Sequence, residues 1–302
     1  MPPAARGLLV AVVLVVLVVG LVVGAGALLA GLLRPGELAA QERCRAEVAS
    51  PDDPDVLLSA SLAPDQTANA ALVVGLANRR GLPARAATIG VATAIQESGL
   101  RNIDYGDRDS LGLFQQRPSQ GWGSEAQVQD PVYSTGAFYD ALVEVDGWQD
   151  LEVTVAAQEV QRSGFPEAYA DHEPEGRALA SSLYGLSEAS LWCELRPVEE
   201  PGDPAAALDG LLAALDPAGP PGWQVAATPG DGTVVLAATG AQPERAAWAL
   251  AQSVVAHAAA HDVVGVRTGG SAWSRDDGTA GWVDAEPVEA GTVVVEVAAA
   301  GA

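Results

Sequence analysis

The chain contains no lysine. Its fixed positive charge is all arginine: 16 basic side chains stand against 39 acidic ones, for a formal net charge of −23. A surface so short of cations cannot neutralise a run of phosphates, which argues against nucleic acid as a partner. Nor does it attract an anionic polymer over distance, so recognition of one must be local, through hydrogen bonds and aromatic stacking. Cysteine is nearly absent. The two that exist, Cys44 and Cys193, lack the close spacing of a metal site. Histidine is nearly as scarce, with three in all. His257 and His261 are four apart, a spacing that suits one face of a helix, but no third ligand accompanies them. No metal and no cofactor is expected.

What the chain has in abundance is a run of Val and Leu at its start. Gly7 to Leu33 holds no charge, and at about 27 residues it exceeds the roughly 20 needed to cross a bilayer. Arg6 precedes it, which favours a cytoplasmic N-terminus. Residues 1–6 therefore read as a cytoplasmic tail and 7–33 as a transmembrane signal anchor, making a single-pass protein with its bulk on the extracytoplasmic side. A cleaved signal peptide, cut after Ala25-Gly-Ala27, is the alternative, although the run is longer than the usual signal core. The cysteines agree with export. Disulfides persist outside the cytoplasm, and two isolated cysteines in an exported chain most simply pair.

Composition divides the rest. Residues 34–65 are rich in Pro and acid and read as a spacer, with one helical turn at Val56–Ala60. Residues 66–193 read as an all-α domain. Its helices fall at Thr67–Arg80, at Pro83–Gly99, from an Asp130-Pro131 cap, at Leu151–Gln161 and near Glu175–Leu183. A Pro- and Glu-rich linker follows at 194–204. Residues 205–302 then alternate a helix at Ala205–Leu215, a hairpin around Pro229-Gly-Asp-Gly, an Ala-rich helix from Pro243 to His261, and strands at Val263–Arg267 and Thr292–Val297. They read as a small α+β domain with nothing catalytic in it. Trp273 and Trp282 suit either sugar stacking or a core.

The most informative stretch is Ala92-Thr-Ala-Ile-Gln-Glu97-Ser-Gly. Counting back from Glu97 in threes and fours gives Ala94, Thr93, Gly90, Ile89 and Ala86, a small and mostly apolar face that should be buried. Glu97 then sits in the last turn of a buried helix. Desolvation and the negative end of the helix dipole both disfavour its charge, and a carboxyl so placed is suited to general acid catalysis. On this helix alone, a buried Glu in a structural hydrogen bond is the competing reading. After the helix comes a polar loop with Asp104, Tyr105, Asp107 and Asp109, then Gly112-Leu-Phe-Gln115-Gln116.

Glu97-Ser98 followed by Gly112-Leu113-Phe114-Gln115 resembles the catalytic core of lytic transglycosylases and the wider lysozyme-like superfamily, over roughly Gln66 to Gly185. Phe114 stands where the family has Met. The family's Tyr-Asn-Ala-Gly element is missing, and Gln161-Arg-Ser-Gly164 lies in its place. The resemblance implies a lysozyme-like domain that cleaves the β-1,4 bonds of peptidoglycan, with Glu97 as acid/base and Gln115 on the glycan. Ser98, Gln116 and Gln161 are further candidate substrate-binding residues. Tyr105, Trp122 and Tyr169 are candidate walls of the sugar groove, each also readable as an ordinary half-buried aromatic. Asp107 and Asp109 are candidate second carboxylates, equally well explained as turn residues. The alternatives are a non-catalytic glycan-binding module of the same fold, or an envelope scaffold with a protein partner on the C-terminal domain.

Overall fold

The computed structural model describes residues 42–216 and 222–299. Its first element is a strand, β1 (Arg43–Ala49), in which Cys44, Ala46 and Val48 point inward and Arg43, Arg45 and Glu47 are more open. That alternation is the period of a half-buried strand. β2 (Leu57–Leu62) pairs with it antiparallel on one side. β3 (Leu191–Glu194) pairs on the other, with Cys44 directly opposite Cys193. The two cysteines form a disulfide across 149 positions of chain. Two readings are corrected here. Residues 43–62 are not a spacer with a helical turn, and the domain is not all-α. The seven residues of β1 sit among prolines and acids, and the partner that completes the sheet lies far along the chain.

The helices follow: α1 (Pro64–Arg79), α2 (Ala84–Ser98), a short α3 (Glu125–Val128), α4 (Pro131–Val143), α5 (Val153–Gln161) and α6 (Glu173–Leu183). α2 is the centre. Every residue from Ala86 to Ala94 is buried, so it is enclosed on all sides and not along one stripe. Its closest neighbour is α6. A Cβ at Gly176 would lie 2.8 Å from the Thr88 carbonyl oxygen, so only glycine lets the two backbones meet there. α2 stops at Gly99, which takes the left-handed conformation (φ 62°) and returns its N–H to the last carbonyls. α4 begins as its sequence demands: the Asp130 carboxylate accepts from the N–H of Val132 at 2.8 Å.

Beyond β3 the chain forms α7 (Pro204–Leu215), the hairpin β4 (Trp223–Gly230) and β5 (Thr233–Ala238), α8 (Pro243–His257), β6 (Val263–Thr268), β7 (Ser271–Ser274), β8 (Trp282–Asp284) and β9 (Thr292–Val297). The six strands form one antiparallel sheet in the order β4-β5-β9-β6-β7-β8. α8 lies between this sheet and the helical part, and Gln252 makes the joint. Its side-chain oxygen accepts from the N–H groups of Ser190 (2.9 Å) and Leu191 (2.7 Å), and its amide donates to the carbonyls of Ser182 (2.7 Å) and Ser187 (3.0 Å). Trp273 and Trp282 donate their indole N–H groups to the carbonyls of Cys193 (3.1 Å) and Leu191 (2.7 Å). Both tryptophans thus pin the disulfide strand, and Trp273, fully buried, has no face open to a sugar. His257 is buried with Nδ1 2.8 Å from the Ser253 carbonyl oxygen.

Among the described residues no helix is long and apolar enough to cross a membrane. The assignment as a single-pass membrane protein is corrected on that finding, and the segment 7–33 from which it came lies outside the described residues.

Candidate active site

Glu97 lies in the last turn of α2, half-buried, at the point where the helix leaves the core. Tyr169 is fully buried in a short 3-10 segment (Ala168–His172), and its hydroxyl donates to Glu97 Oε1 at 2.6 Å. The Gln161 amide makes a second contact with the carboxylate, and its Nε2 donates to the Phe114 carbonyl at 2.8 Å. Burial raises the Glu97 pKa above the ordinary carboxylate value. The bonds from Tyr169 and Gln161 favour the charged form and oppose that rise without cancelling it. Burial, and then the neighbouring carboxylate, push the Tyr169 phenol upward, which keeps Tyr169 the donor.

The loop after α2 is anchored from below. Leu113 and Phe114 are fully buried, and Phe114 stacks on Phe138 of α4 with ring centroids 4.6 Å apart. Ser98 Oγ donates to the Leu113 carbonyl at 2.8 Å, tying the helix end to the loop. Asn102 and Gln129 exchange side-chain bonds with carbonyls across the loop: Asn102 donates to Gln129 O (2.8 Å) and Gln129 to Ile103 O (2.7 Å). Gln116 is buried and donates to the Ser134 carbonyl at 2.9 Å. Asp109 accepts from Arg117 Nε and from the Ser119 N–H, both at 2.8 Å. The Ser119 hydroxyl and N–H, and then Arg117, hold its carboxyl far below the usual range.

Above this floor opens a cleft of about 470 Å³, lined among others by Glu97, Asp107, Gln115, Trp122, Gln161 and Arg162. A larger lobe of about 970 Å³ shares Gln120, Trp122, Gln161 and Arg162 with it and continues along Glu144, Leu151, Val155 and Glu159. Five of the residues nominated from sequence therefore meet at one cleft: Glu97, Gln115, Gln161, Trp122 and Asp107. Gln115 adopts φ 47° and donates weakly to the Tyr105 and Gly112 carbonyls, both at 3.3 Å.

The other nominations fall elsewhere. Tyr169 is a buried partner of Glu97, not a groove wall. Gln116 and Ser98 serve the loop's own structure. The Tyr105 ring is 69 % exposed and does not line the cleft. Asp109 is committed to Arg117, while Asp107 is exposed and lies 3.9 Å from Arg108. Sequence reasoning missed the arginines that line the cleft, Arg108, Arg117 and Arg162. The signal for Arg162 was its position directly after Gln161. Among the described residues no group of three or more His, Cys, Asp or Glu is placed to hold a metal ion. No family model matches the chain, and no curated protein matches it in sequence.

Proposed function

We propose that the protein cleaves peptidoglycan glycan strands at the β-1,4 bond between N-acetylmuramic acid and N-acetylglucosamine, with Glu97 as general acid and then base. One observation carries this reading. A single carboxyl, desolvated at the end of a buried helix and held on one oxygen by Tyr169, faces a polar cleft with Gln115, Gln161 and Trp122 on its walls. Because Oε1 accepts from Tyr169, a proton on the carboxyl resides on Oε2 and is free to be donated. It passes to the glycosidic oxygen as the C–O bond breaks.

The second half of the reaction needs a nucleophile. The carboxylates lining the cleft among the described residues are Glu97 and Asp107, and Asp107 is a solvated side chain beside Arg108. That is poor placement for a protein nucleophile, which must be held to within roughly half an ångström. The substrate's own 6-hydroxyl has a proximity advantage over water. It attacks the anomeric carbon, Glu97 takes its proton back, and the product ends in an anhydro sugar with no water consumed.

The test is Glu97→Gln assayed on purified sacculi. Gln keeps the shape and cannot supply the proton, so the rate should fall by at least ~10²-fold. Mass spectrometry of wild-type products should find ends lighter by one water than hydrolysed ones. Wild-type rates in folded Glu97→Gln protein exclude Glu97 as the acid. Binding without any cleavage by the wild type favours the glycan-binding module instead.

A further inference from the structure

We infer that Arg162 is a substrate-specificity residue, which binds a carboxylate carried by the glycan or by its attached peptide. The inference rests on the glycan-cleaving reading above. Arg162 caps the C-terminus of α5 in the left-handed conformation, at φ 51° and ψ 42°. Glycine or asparagine normally fills that position, because a Cβ there clashes with the backbone. A cation gains from the helix dipole anywhere in the last turn, so the dipole does not explain an arginine at this one strained residue. Strain that persists at a non-glycine residue points to a use for the side chain.

The surroundings say what that use is. Arg162 lines both the Glu97 cleft and the larger lobe, at the waist they share with Trp122 and Gln161. The other two cleft arginines have acidic neighbours: Arg117 is bonded to Asp109 at 2.8 Å and Arg108 lies 3.9 Å from Asp107. Arg162 makes no ion pair or side-chain hydrogen bond among the described residues, although Glu144, Asp146 and Glu159 line the neighbouring lobe. In a chain with 39 acidic residues, an unpaired guanidinium on the lining of the cleft that holds Glu97 is a cation left open to an anionic ligand. A guanidinium fork matches a carboxylate with two parallel N–H donors. The backbone beneath it is fixed: the Arg162 N–H donates to Gln158 O at 2.8 Å, and Gln158 also bonds both the hydroxyl and the carbonyl of Ser163.

Arg162→Gly is the diagnostic variant. It removes the guanidinium and relieves the left-handed strain, so its unfolding midpoint should not fall below that of the parent. Binding is measured by calorimetry on the full chain in a Glu97→Gln background, where nothing is cleaved. The ligands are a neutral N-acetylglucosamine hexamer, a peptide-free hexamer alternating N-acetylglucosamine with N-acetylmuramic acid, and the same alternating hexamer carrying its peptides. We expect Arg162→Gly to weaken a carboxylated hexamer about tenfold or more and to change the neutral hexamer less than about twofold. A loss already seen without peptides assigns the carboxylate to the sugar, and a loss seen only with them assigns it to the peptide. Equal losses on all three ligands, or none on either carboxylated one, overturn the assignment to Arg162 alone. Failure of the Glu97→Gln parent to bind any of the three overturns the glycan reading and this inference together.

Discussion

Replacing both Cys44 and Cys193 with alanine should cost the protein about 3–5 kcal/mol. The figure comes from the position of the bridge. It closes a loop over 149 positions, which contains all six helices from α1 to α6 and the whole Glu97 cleft. In the chain-entropy model a loop of that length removes roughly 17 cal/mol/K from the unfolded chain, or about 5 kcal/mol at room temperature. The folded state loses little. Both sulfurs are buried, alanine leaves no unpaired polar atom in their place, and the β1–β3 ladder keeps its own backbone pairing. The effect therefore lies in the unfolded chain, which expands when the bridge is removed. Urea unfolding followed by tryptophan emission is the direct assay, because Trp273 and Trp282 are hydrogen-bonded to the Cys193 and Leu191 carbonyls of β3. With a urea slope of about 2–3 kcal/mol/M, the midpoint should fall by roughly 1–2 M and the slope should rise. A loss under about 1 kcal/mol at unchanged slope would refute the loop-closure account.

Tyr169→Phe removes a 2.6 Å bond that favours the charged form of Glu97 while keeping the ring in its buried slot. Glu97 should then hold its proton to higher pH, and the alkaline limb of the cleavage profile should move upward; a downward move would contradict the site. Glu97 itself should leave a mark on stability. Its folded pKa lies above its unfolded one, so the folded protein binds the proton more tightly, and stability falls as pH rises between the two values. Glu97→Gln should abolish that fall and be the more stable form at neutral pH, which melting curves across about pH 4–8 would show. Gln252→Leu leaves the N–H groups of Ser190 and Leu191 without their acceptor, and should cost roughly 2–5 kcal/mol in denaturant unfolding. A cost under about 1 kcal/mol would mean that other groups satisfy the joint.

Local signals were sufficient wherever a residue's role depends on its immediate neighbours in the chain. The α2 helix, its glycine stop and the burial of Ala86, Ile89, Thr93 and Ala94 follow from spacing and composition alone. So do the Asp130 cap and four strands of the C-terminal sheet, β4, β5, β6 and β9; the short β7 and β8, in a stretch rich in Gly, Ser and Asp, were not read as strands. The desolvation of Glu97 was legible for the same reason, because the helix carries the buried face that causes it. The pairing of the two cysteines followed from their number and from the export expected of the chain.

Tertiary structure decided whatever depends on residues distant in sequence. β1 pairs with the nearby β2 on one edge, but its other edge is completed by β3, which arrives more than a hundred residues later, and no window around β1 contains that second partner. Tyr169 and Trp122 look alike in sequence, as aromatics near polar loops. Packing sends Tyr169 under Glu97 and leaves Trp122 at the waist of the cleft. Gln115 and Gln116 are adjacent, yet the left-handed turn at Gln115 puts one on the cleft wall and the other in the core. Asp107 and Asp109 differ only in which has Arg117 and the Ser119 N–H within reach. Side-chain chemistry is written in the chain, but direction and company are set when separate segments pack, because burial and hydrogen bonding act through space.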